Sequence, residues 1–414
     1  MCIRDRCNHY NNSTYNYGPM YSLILATGNI CKPGAGAGLS IGGGGNVANT
    51  EGALKPKDAE GNPVQGGGRA VNWNQVHGVL QTETLAGKPY TMKSIYVSCS
   101  NPVVCQTERQ ETLRVFEDVE FVVVQDMVFT ETAKYADILL PACHWFETTE
   151  LAVMSRNVPY LVWQDKVIDP LYESKPDFEI YKLIAEKMGY GEFFDMDSED
   201  FIKLWLDSDA ARDLGITFEK LKEEKAARFL PGETYISFEG GSFTTPSKRA
   251  RFYQEKVVPS YNVGQEIDES KDKTFLYWEP ALEADVNSPA RAKHPFSVCS
   301  DHLRTRTHVQ WWDVEYMKEF EPYPIVRLNP EDAKGLGIEE GDTVKLSNDR
   351  GFVTMIATLN AGQRPNTVSC PRSFQAGEFI DGHFSDLSFN DYNQCCANQA
   401  YNDVAVAIEK IQGA

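Results

Sequence analysis

The sequence predicts an α/β fold in which a doubly wound sheet precedes a small β-barrel. Within residues 93–146, strand patterns end in small polar residues and alternate with helix patterns, as in parallel sheets. After His294, short strand patterns separated by turns dominate instead. At 414 residues, the chain is long enough for two or three domains of ordinary size.

Two of the strand patterns end in side chains suited to a nucleotide. The first, over residues 93–98, is followed by Asn101, and the second, over residues 121–124, is followed by Gln125 and Asp126. The second is an apolar, β-branched run typical of a strand buried on both faces of its sheet. Because ligands bind beyond the carboxyl ends of parallel strands, Asn101 and Asp126 should line one crevice. An aspartate there accepts hydrogen bonds from the paired N–H donors of guanine or from ribose hydroxyls, which predicts a nucleotide-type cofactor held by its base end.

The segments around these strands carry weaker signals. A helix is predicted over residues 170–189, and an N-cap would by itself explain Asp177 within it. The glycine-rich residues 27–52 suit either a flexible linker or a loop that lets the backbone approach a bulky ligand. Residues 191–292 are acidic, and we interpret them as a peripheral insertion without chemistry.

The last part of the chain predicts a β-barrel with one or two helices. Its strand patterns cover residues 325–328, 343–346, 352–359, 367–370 and 404–408. Asn329 and Pro330 suit the start of a short helix, and residues 348–351 suit a hairpin turn. The loop over residues 301–312 contains two His, two Arg and two Trp. Charged loop residues are commonly only solvated, but this density favours a ligand, since guanidinium groups suit phosphates and planar side chains suit rings.

Composition excludes several classes of protein. A formal net charge of −19 without a basic stripe argues against a nucleic-acid partner. No apolar run approaches the roughly 18 residues that a membrane-spanning helix needs. No C-x-x-C pair occurs among the ten cysteines, so the chain encodes neither a zinc ribbon nor an iron–sulfur run. The cysteines do not identify the redox compartment.

Several ordered motifs resemble the C-terminal half of the dimethyl sulfoxide reductase family of molybdenum enzymes. The motifs are TGNICKPGAGAG, VSCSNP, VVVQDMVFTETAKYADILLPACHWFE, KPDFEIYKLIAEKMG and RLNPEDAKGLGIEEGDTVKLSNDRG. The resemblance implies a bis(molybdopterin guanine dinucleotide) cofactor with molybdenum, held between an α/β domain and a double-psi β-barrel. We expect the α/β domain over residues 7–190, the insertion over 191–292 and the barrel over 293–414. Residues 1–6 resemble a translated sequencing adaptor, and we expect the natural N-terminus to lie upstream.

The resemblance also assigns residues to the cofactor. It implies that Asn101, Gln125 and Asp126 lie at the guanine dinucleotide and that Asp177 also reaches the nucleotide rather than only capping a helix. Loop residues expected along the pterin and pyrophosphate are His302, Arg304, Thr305, Arg306, Thr307 and His308. Asn393 and Asn402 match polar contacts near the C-terminus. The molybdenum ligand of the family lies upstream of these motifs, so no catalytic residue and no metal ligand is predicted in this chain.

By resemblance we expect a catalytic subunit that transfers an oxygen atom or electrons to or from a small substrate in anaerobic respiration. The resemblance further implies a four-iron four-sulfur cluster upstream, an iron–sulfur partner subunit, a membrane anchor subunit and a periplasmic or otherwise extracytoplasmic location. One alternative keeps the cofactor but carries out hydration, transhydroxylation or dehydroxylation of an organic substrate. A second alternative is a non-catalytic electron-transfer relative.

Overall fold

The computed structural model describes most of the chain. The described residues are 9–36, 47–48, 70–154, 158–230, 236–253, 255–256, 259, 267, 277–372 and 374–411. The adaptor-like residues 1–6 and most of the glycine-rich segment predicted as a linker or cofactor loop lie outside them.

Helices and strands alternate in the first half of the described chain, and strands dominate the second. The helices are α1 (Ser13–Ala26), α2 (Trp73–Thr82), α3 (Pro102–Cys105), α4 (Arg109–Asp118), α5 (Asp177–Lys187), α6 (Ser198–Leu206), α7 (Asp209–Asp213), α8 (Phe218–Glu224), α9 (Glu315–Lys318) and α10 (Pro330–Leu336). The strands are β1 (Thr84–Leu85), β2 (Lys88–Pro89), β3 (Ser94–Ser98), β4 (Phe121–Asp126), β5 (Ile138–Pro141), β6 (Glu150–Met154), β7 (Tyr160–Gln164), β8 (Ala226–Arg228), β9 (Phe296–Asp301), β10 (Ile325–Leu328), β11 (Thr343–Ser347), β12 (Phe352–Leu359), β13 (Thr367–Pro371), β14 (Asp381–Gly382) and β15 (Ala405–Lys410).

A parallel sheet with the order β3–β4–β5 forms the centre of the α/β unit. On one face, Val97, Val122 and Val124 pack with Phe116 of α4 in one apolar cluster. Helix α5 lies on the other face, where the Tyr181 hydroxyl is 3.3 Å from Ser98 Oγ. Helices therefore cover both sides, and the predicted α/β class is confirmed.

The strand predicted to be buried on both faces is buried along its length on one face, but on the other face it is buried only towards its carboxyl end. Val122 and Val124 are 2% and 1% exposed, whereas Phe121 is 41% exposed. Tyr96 and Ile138 share the face of Phe121 through the strand register and are 40% and 45% exposed. Helix α5 covers this face only near the carboxyl ends of the strands.

A small lobe with its own core follows the parallel sheet. Strands β6, β7 and β8 form an antiparallel sheet, and α6 and α8 pack on it around Leu161, Leu221 and Phe229, which are at most 1% exposed. Both α6 and α8 are formed by residues of the acidic segment. Strand β8 pairs with β7 across the expected boundary at residue 190, so the acidic segment completes a sheet begun before it.

The C-terminal part is a closed six-stranded barrel. Its strands follow the order β10–β13–β9–β15–β11–β12, and β12 closes the barrel by pairing in parallel with β10. Asn329 caps α10 by accepting a hydrogen bond from the Glu331 amide at 2.8 Å, and Gly337 ends the helix with a φ of 68°. Strand β9 was not identified from the sequence, although Val298 in it is 2% exposed and lies in the barrel core.

Within the described residues, no helix combines the length and the apolar character that crossing a bilayer requires.

Candidate nucleotide-cofactor site

The carboxyl ends of the parallel strands and the barrel loop after β9 lie close to each other. Trp145, which follows β5, makes an edge contact with Trp311 of that loop, with ring centroids 5.7 Å apart. On the other side, Asn101 beyond β3 donates a hydrogen bond to Gln375 of the barrel at 3.1 Å. The predicted crevice at this edge of the sheet is therefore bounded by the barrel.

Asp126 is the last residue of β4. Its Oδ1 accepts a hydrogen bond from the Met127 amide at 2.8 Å. Partial burial raises the pKa of Asp126, and the negative charges of Asp177 and Asp313 raise it further. The influence of Asp177 and Asp313 indicates that α5 and the barrel loop both bring carboxylates towards the tip of β4. Such a corner attracts hydrogen-bond donors and disfavours phosphate.

Asp177 is the first residue of α5, and the helix N-cap is Pro176. The aspartate side chain does not cap the helix, because its Oδ1 accepts a hydrogen bond from Gln125 Nε2 at 2.6 Å. Gln125 itself is 1% exposed, and its Oε1 accepts a hydrogen bond from the Tyr96 hydroxyl. Among the described residues, Asp126 and Asp177 each retain a carboxylate oxygen that accepts no side-chain hydrogen bond. Both ends of the Gln125 amide, in contrast, are occupied.

Asn101 lies at the tip of β3 as predicted, but its side chain is 3% exposed. The Oδ1 atom accepts hydrogen bonds from Thr132 Oγ1 at 2.8 Å and from the Thr132 amide at 3.2 Å. Its Nδ2 donates to Gln375. The amide thus joins β3, the turn after β4 and the barrel, and a direct cofactor contact for Asn101 stays a prediction.

The six predicted residues of the barrel loop fall into different environments. Arg306 is buried and forms two hydrogen bonds with the Glu378 carboxylate, at 2.6 and 2.8 Å, over the ring of Phe374. The Thr305 hydroxyl donates to Glu321. Arg304 and Thr307 are exposed. His302 and His308 lie against another basic side chain, Arg372.

His302 and His308 belong to a basic cluster with Arg372 and His9. Arg372 Nη2 lies 3.3 Å from His302 Nε2 and 3.4 Å from His308 Nδ1. Burial and the nearby positive charge of Arg372 lower the pKa of His9 to about 4. Neither His9 nor Arg372 was identified from the sequence. Arg372 directly follows β13, so the rule applied to Asp126, a polar residue at a strand end, would have found it.

The two C-terminal asparagines are buried and bonded to other parts of the chain. Asn393 is 1% exposed, and its Oδ1 accepts hydrogen bonds from Thr14 Oγ1 at 2.6 Å and from two amides of its own loop. Asn402 Oδ1 accepts from Ser300 Oγ at 2.6 Å, and the backbone N–H of Asn402 donates to the His9 carbonyl at 2.9 Å. Asn402 thereby holds the backbone of His9 close to the end of β9.

The edge of the sheet therefore has two chemically different corners. The acidic corner consists of Asp126 and Asp177, and the basic cluster of His9, His302, His308 and Arg372 lies where α3 meets the barrel. The Tyr401 hydroxyl marks that junction by donating to the Cys105 carbonyl, while the guanidinium of Arg372 lies 5.5 Å from the Tyr401 ring centre. A ligand with hydrogen-bond donors at one end and anionic groups further along complements this arrangement.

Two buried nitrogen atoms support an anionic or polar ligand beside the barrel. His9 Nδ1 and Gln375 Nε2 have no hydrogen-bond partner within the described part of the chain. A buried polar atom left unpaired costs free energy, so each is a site where a bound group can complete the hydrogen bonding. The residues present therefore fit a nucleotide cofactor with a pyrophosphate.

Comparison with known families identifies the class of protein. Residues 4–187 match the molybdopterin oxidoreductase family, and residues 296–408 match the molybdopterin dinucleotide-binding domain. The α/β unit and the barrel thus correspond to two domains found in molybdopterin-dependent oxidoreductases. The chain belongs to the dimethyl sulfoxide reductase family of these proteins.

Individual relatives agree with this assignment. The chain is 26% identical over 401 residues to the F420-dependent formate dehydrogenase subunit alpha of Methanocaldococcus jannaschii, covering 94% of this chain and 55% of that protein. It is 29% identical over 291 residues to the trimethylamine-N-oxide reductase of Vibrio vulnificus, covering 64% and 34%. The solved structure of acetylene hydratase from Pelobacter acetylenicus shares the fold, with a TM-score of 0.66 and 18% identity over 82% of this chain and 46% of that one. The chain spans only about a third to a half of these proteins.

Proposed function

We propose that this chain holds a guanine dinucleotide end of a molybdenum bis(molybdopterin guanine dinucleotide) cofactor in the catalytic subunit of an oxidoreductase. The observation that carries the proposal is the pairing of an acidic corner at Asp126 and Asp177 with the basic cluster around Arg372. Guanine offers N–H donors that carboxylates accept, and a pyrophosphate is an anion that guanidinium and imidazole groups bind.

Two groups of residues in this chain would bind different parts of the dinucleotide. Asp126 and Asp177 would accept hydrogen bonds from the guanine or its ribose. Arg372, with His302 and His308 on either side of its guanidinium, would bind the pyrophosphate, and His9 would face the same anion. When bound, the cofactor supplies the redox chemistry through its metal, and the protein supplies position and electrostatic environment.

The finer function that we propose is oxygen-atom or electron transfer to or from a small substrate in anaerobic respiration. Support comes from the trimethylamine-N-oxide reductase relative, whose name describes such a reaction. Since that relative is about three times as long as the part matched here, we place the molybdenum ligand and a four-iron four-sulfur cluster in additional polypeptide. We further propose an iron–sulfur partner subunit, a membrane anchor subunit and an extracytoplasmic location.

A second candidate function keeps the cofactor and changes the reaction to hydration or dehydroxylation of an organic substrate. The observation that favours it is the aromatic contact between Trp145 and Trp311 at the mouth of the crevice, with Trp145 43% exposed. Planar rings at that position suit an organic substrate wall. Assays with a reduced viologen dye separate hydration from the respiratory reaction, because hydration consumes no electrons. Dehydroxylation also consumes electrons from the dye, so it is identified by its organic product.

Cofactor content tests the main proposal. The complete protein would be produced without oxygen in a host that makes the cofactor, and molybdenum would be measured together with the GMP released by acid. We expect about two GMP per molybdenum in the parent and a clear loss of GMP in Asp126→Ala and Asp177→Ala. The exposed Asp195→Ala, in the turn between α5 and α6, is the matched control. A parent protein with neither molybdenum nor GMP would end the proposal.

A further inference from the structure

Gln125 occupies a buried position in which both ends of its amide are used. The side chain is 1% exposed although it lies at the second-last position of β4. Its Nε2 donates to Asp177 Oδ1 at 2.6 Å, and its Oε1 accepts from the Tyr96 hydroxyl. The orientation of the amide is fixed, because an ionised aspartate can only accept and therefore requires the nitrogen of Gln125 on its side.

Tyr96 reaches Gln125 along the sheet. Ser98 is in register with Gln125, and Tyr96 lies two residues earlier on the same face. Two residues of a strand span about 6.6 Å, roughly the length of a tyrosine side chain. Burial raises the pKa of Tyr96 to about 12, so the hydroxyl stays protonated and donates. The Tyr181 ring lies 6.1 Å from the Tyr96 ring and holds α5 over this pair.

The hydrogen bond from Gln125 restrains the carboxylate of Asp177. A hydrogen bond of 2.6 Å to a charged acceptor is short and strong, so Oδ1 is held in place. The other oxygen, Oδ2, accepts no hydrogen bond from the part of the chain that the structure describes. Held at one oxygen at the N-terminus of an 11-residue helix, the carboxylate keeps one plane and presents Oδ2 and the second lone pair of Oδ1.

We propose that Tyr96 and Gln125 are positioning residues that fix the plane of the Asp177 carboxylate and thereby set its selectivity for guanine. Gln125 is then not itself a cofactor ligand. This inference rests on the proposed function, in which Asp177 accepts hydrogen bonds from the base. Recognition of guanine by a carboxylate uses two parallel donors, N1–H and the N2 amino group, and both can be met only in one plane. A carboxylate free to rotate would bind either donor singly and would discriminate poorly against hypoxanthine, which lacks the amino group.

Nucleotide binding to the chain tests the inference without enzyme activity. Dissociation constants for GMP and IMP would be measured by calorimetry at pH 7.5. We expect the parent chain to prefer GMP by about tenfold, the contribution of one hydrogen bond to a charged acceptor. Gln125→Met, which preserves the volume but removes the amide, should reduce the preference to about twofold or less. Tyr96→Phe should lower it by a smaller factor, since Asp177 alone still favours the amide nitrogen on its side.

The variant Gln125→Glu adds a second measurement, the pH dependence of the preference for GMP. A merely structural role of Gln125 would not make this preference depend on pH. Gln125→Glu places a second carboxylate against Asp177, and only its protonated form can donate to Oδ1. The preference of this variant for GMP should therefore be lost at pH 8 and should recover as the pH falls towards 5, whereas the parent preference should change little.

Equal GMP preference in the parent and in Gln125→Met, together with its loss in Asp177→Ala, would overturn the positioning role and leave the proposed function standing. A parent chain that binds neither nucleotide would overturn both.

Discussion

Asn101 Nδ2 donates a hydrogen bond to Gln375 Oε1 over 3.1 Å and so joins the tip of β3 to the barrel. The same asparagine accepts two hydrogen bonds from Thr132. The backbone N–H of Gln375 donates to the Glu378 carboxylate at 2.7 Å, and Glu378 accepts a hydrogen bond from Arg306. A chain of buried polar contacts therefore connects the α/β unit with the loop that carries most of the predicted barrel-side contacts.

Replacing Asn101 should weaken this connection. Asn101→Ala removes the acceptor of the Thr132 N–H and O–H groups and the donor to Gln375 Oε1. A loss of about 1–3 kcal/mol in the free energy of unfolding follows from the usual cost of unpaired buried groups. Urea denaturation followed by circular dichroism measures it. The exposed Asn287→Ala serves as the control. An Asn101→Ala protein as stable as the parent would show that the connection does not contribute to stability.

The ion pair between Arg306 and Glu378 should be costly to break from either side. The Arg306 side chain is 1% exposed, so Arg306→Met leaves a largely buried carboxylate without its partner. We expect a loss of about 3–5 kcal/mol in unfolding free energy. Lys166→Met breaks the exposed pair with Asp169 and should cost no more than about 1 kcal/mol.

A double variant distinguishes the pair interaction from simple loss of packing around Arg306. If charge pairing dominates, Arg306→Met combined with Glu378→Gln should be less destabilising than the sum of the two single changes. Strict additivity would contradict a direct interaction between the two side chains.

His383 should make stability depend on pH. Burial lowers the pKa of His383 from 6.5 to about 3, so between these values the unfolded chain binds a proton that the folded chain does not. The stability from the neutral imidazole is present above pH 6.5 and is lost as the pH falls. At pH 5 the loss relative to pH 7 should be about 2 kcal/mol.

Comparison of the parent with His383→Asn isolates this contribution from the other titrating groups. The Asn side chain can still accept the hydrogen bond that the Ser385 amide donates to His383 Nδ1 at 3.0 Å. The unfolding midpoint of the variant in urea should therefore change less between pH 7 and pH 5 than that of the parent. His144→Asn is the matched control for loss of a capping imidazole. If the unfolding midpoint changed equally with pH in the parent and in His383→Asn, His383 would not be a source of the pH dependence.

The sequence predicted the parts of the site that depend on local pattern. The strand before Asp126 and the helix near Asp177 are encoded in short apolar periods, so their positions at one edge follow from the parallel sheet alone. The pairing of Gln125 with Asp177 was not predictable, because it depends on how α5 packs over the strand tips. The basic cluster was also missed in part, since His9 and Arg372 meet only through folding and neither lies in a dense motif.

The predicted cofactor contacts differ in burial even where the residue type is the same. Arg306 and Arg304 are equivalent in sequence, yet Arg306 is buried against Glu378 and Arg304 is exposed. Asn101, Asn393 and Asn402 were assigned to the cofactor by resemblance, but each is at most 3% exposed and bonded to the chain itself. Their side chains hold the segments that carry the site, a role that a motif cannot distinguish from direct contact.

The basic cluster provides the last prediction. Arg372 is flanked by His302 and His308 at 3.3 and 3.4 Å, so its substitution removes the central cation of the cluster. Arg372→Met should weaken the binding of inorganic pyrophosphate at least tenfold, because it deletes a charge-assisted hydrogen-bond donor. Calorimetric titration at two salt concentrations measures this, and the parent should lose more affinity at high salt than the variant since it makes more charged contacts. Arg212→Met, which removes an exposed arginine of the small lobe, should leave the affinity unchanged. Unaltered pyrophosphate binding in Arg372→Met would place the phosphate groups elsewhere on the barrel.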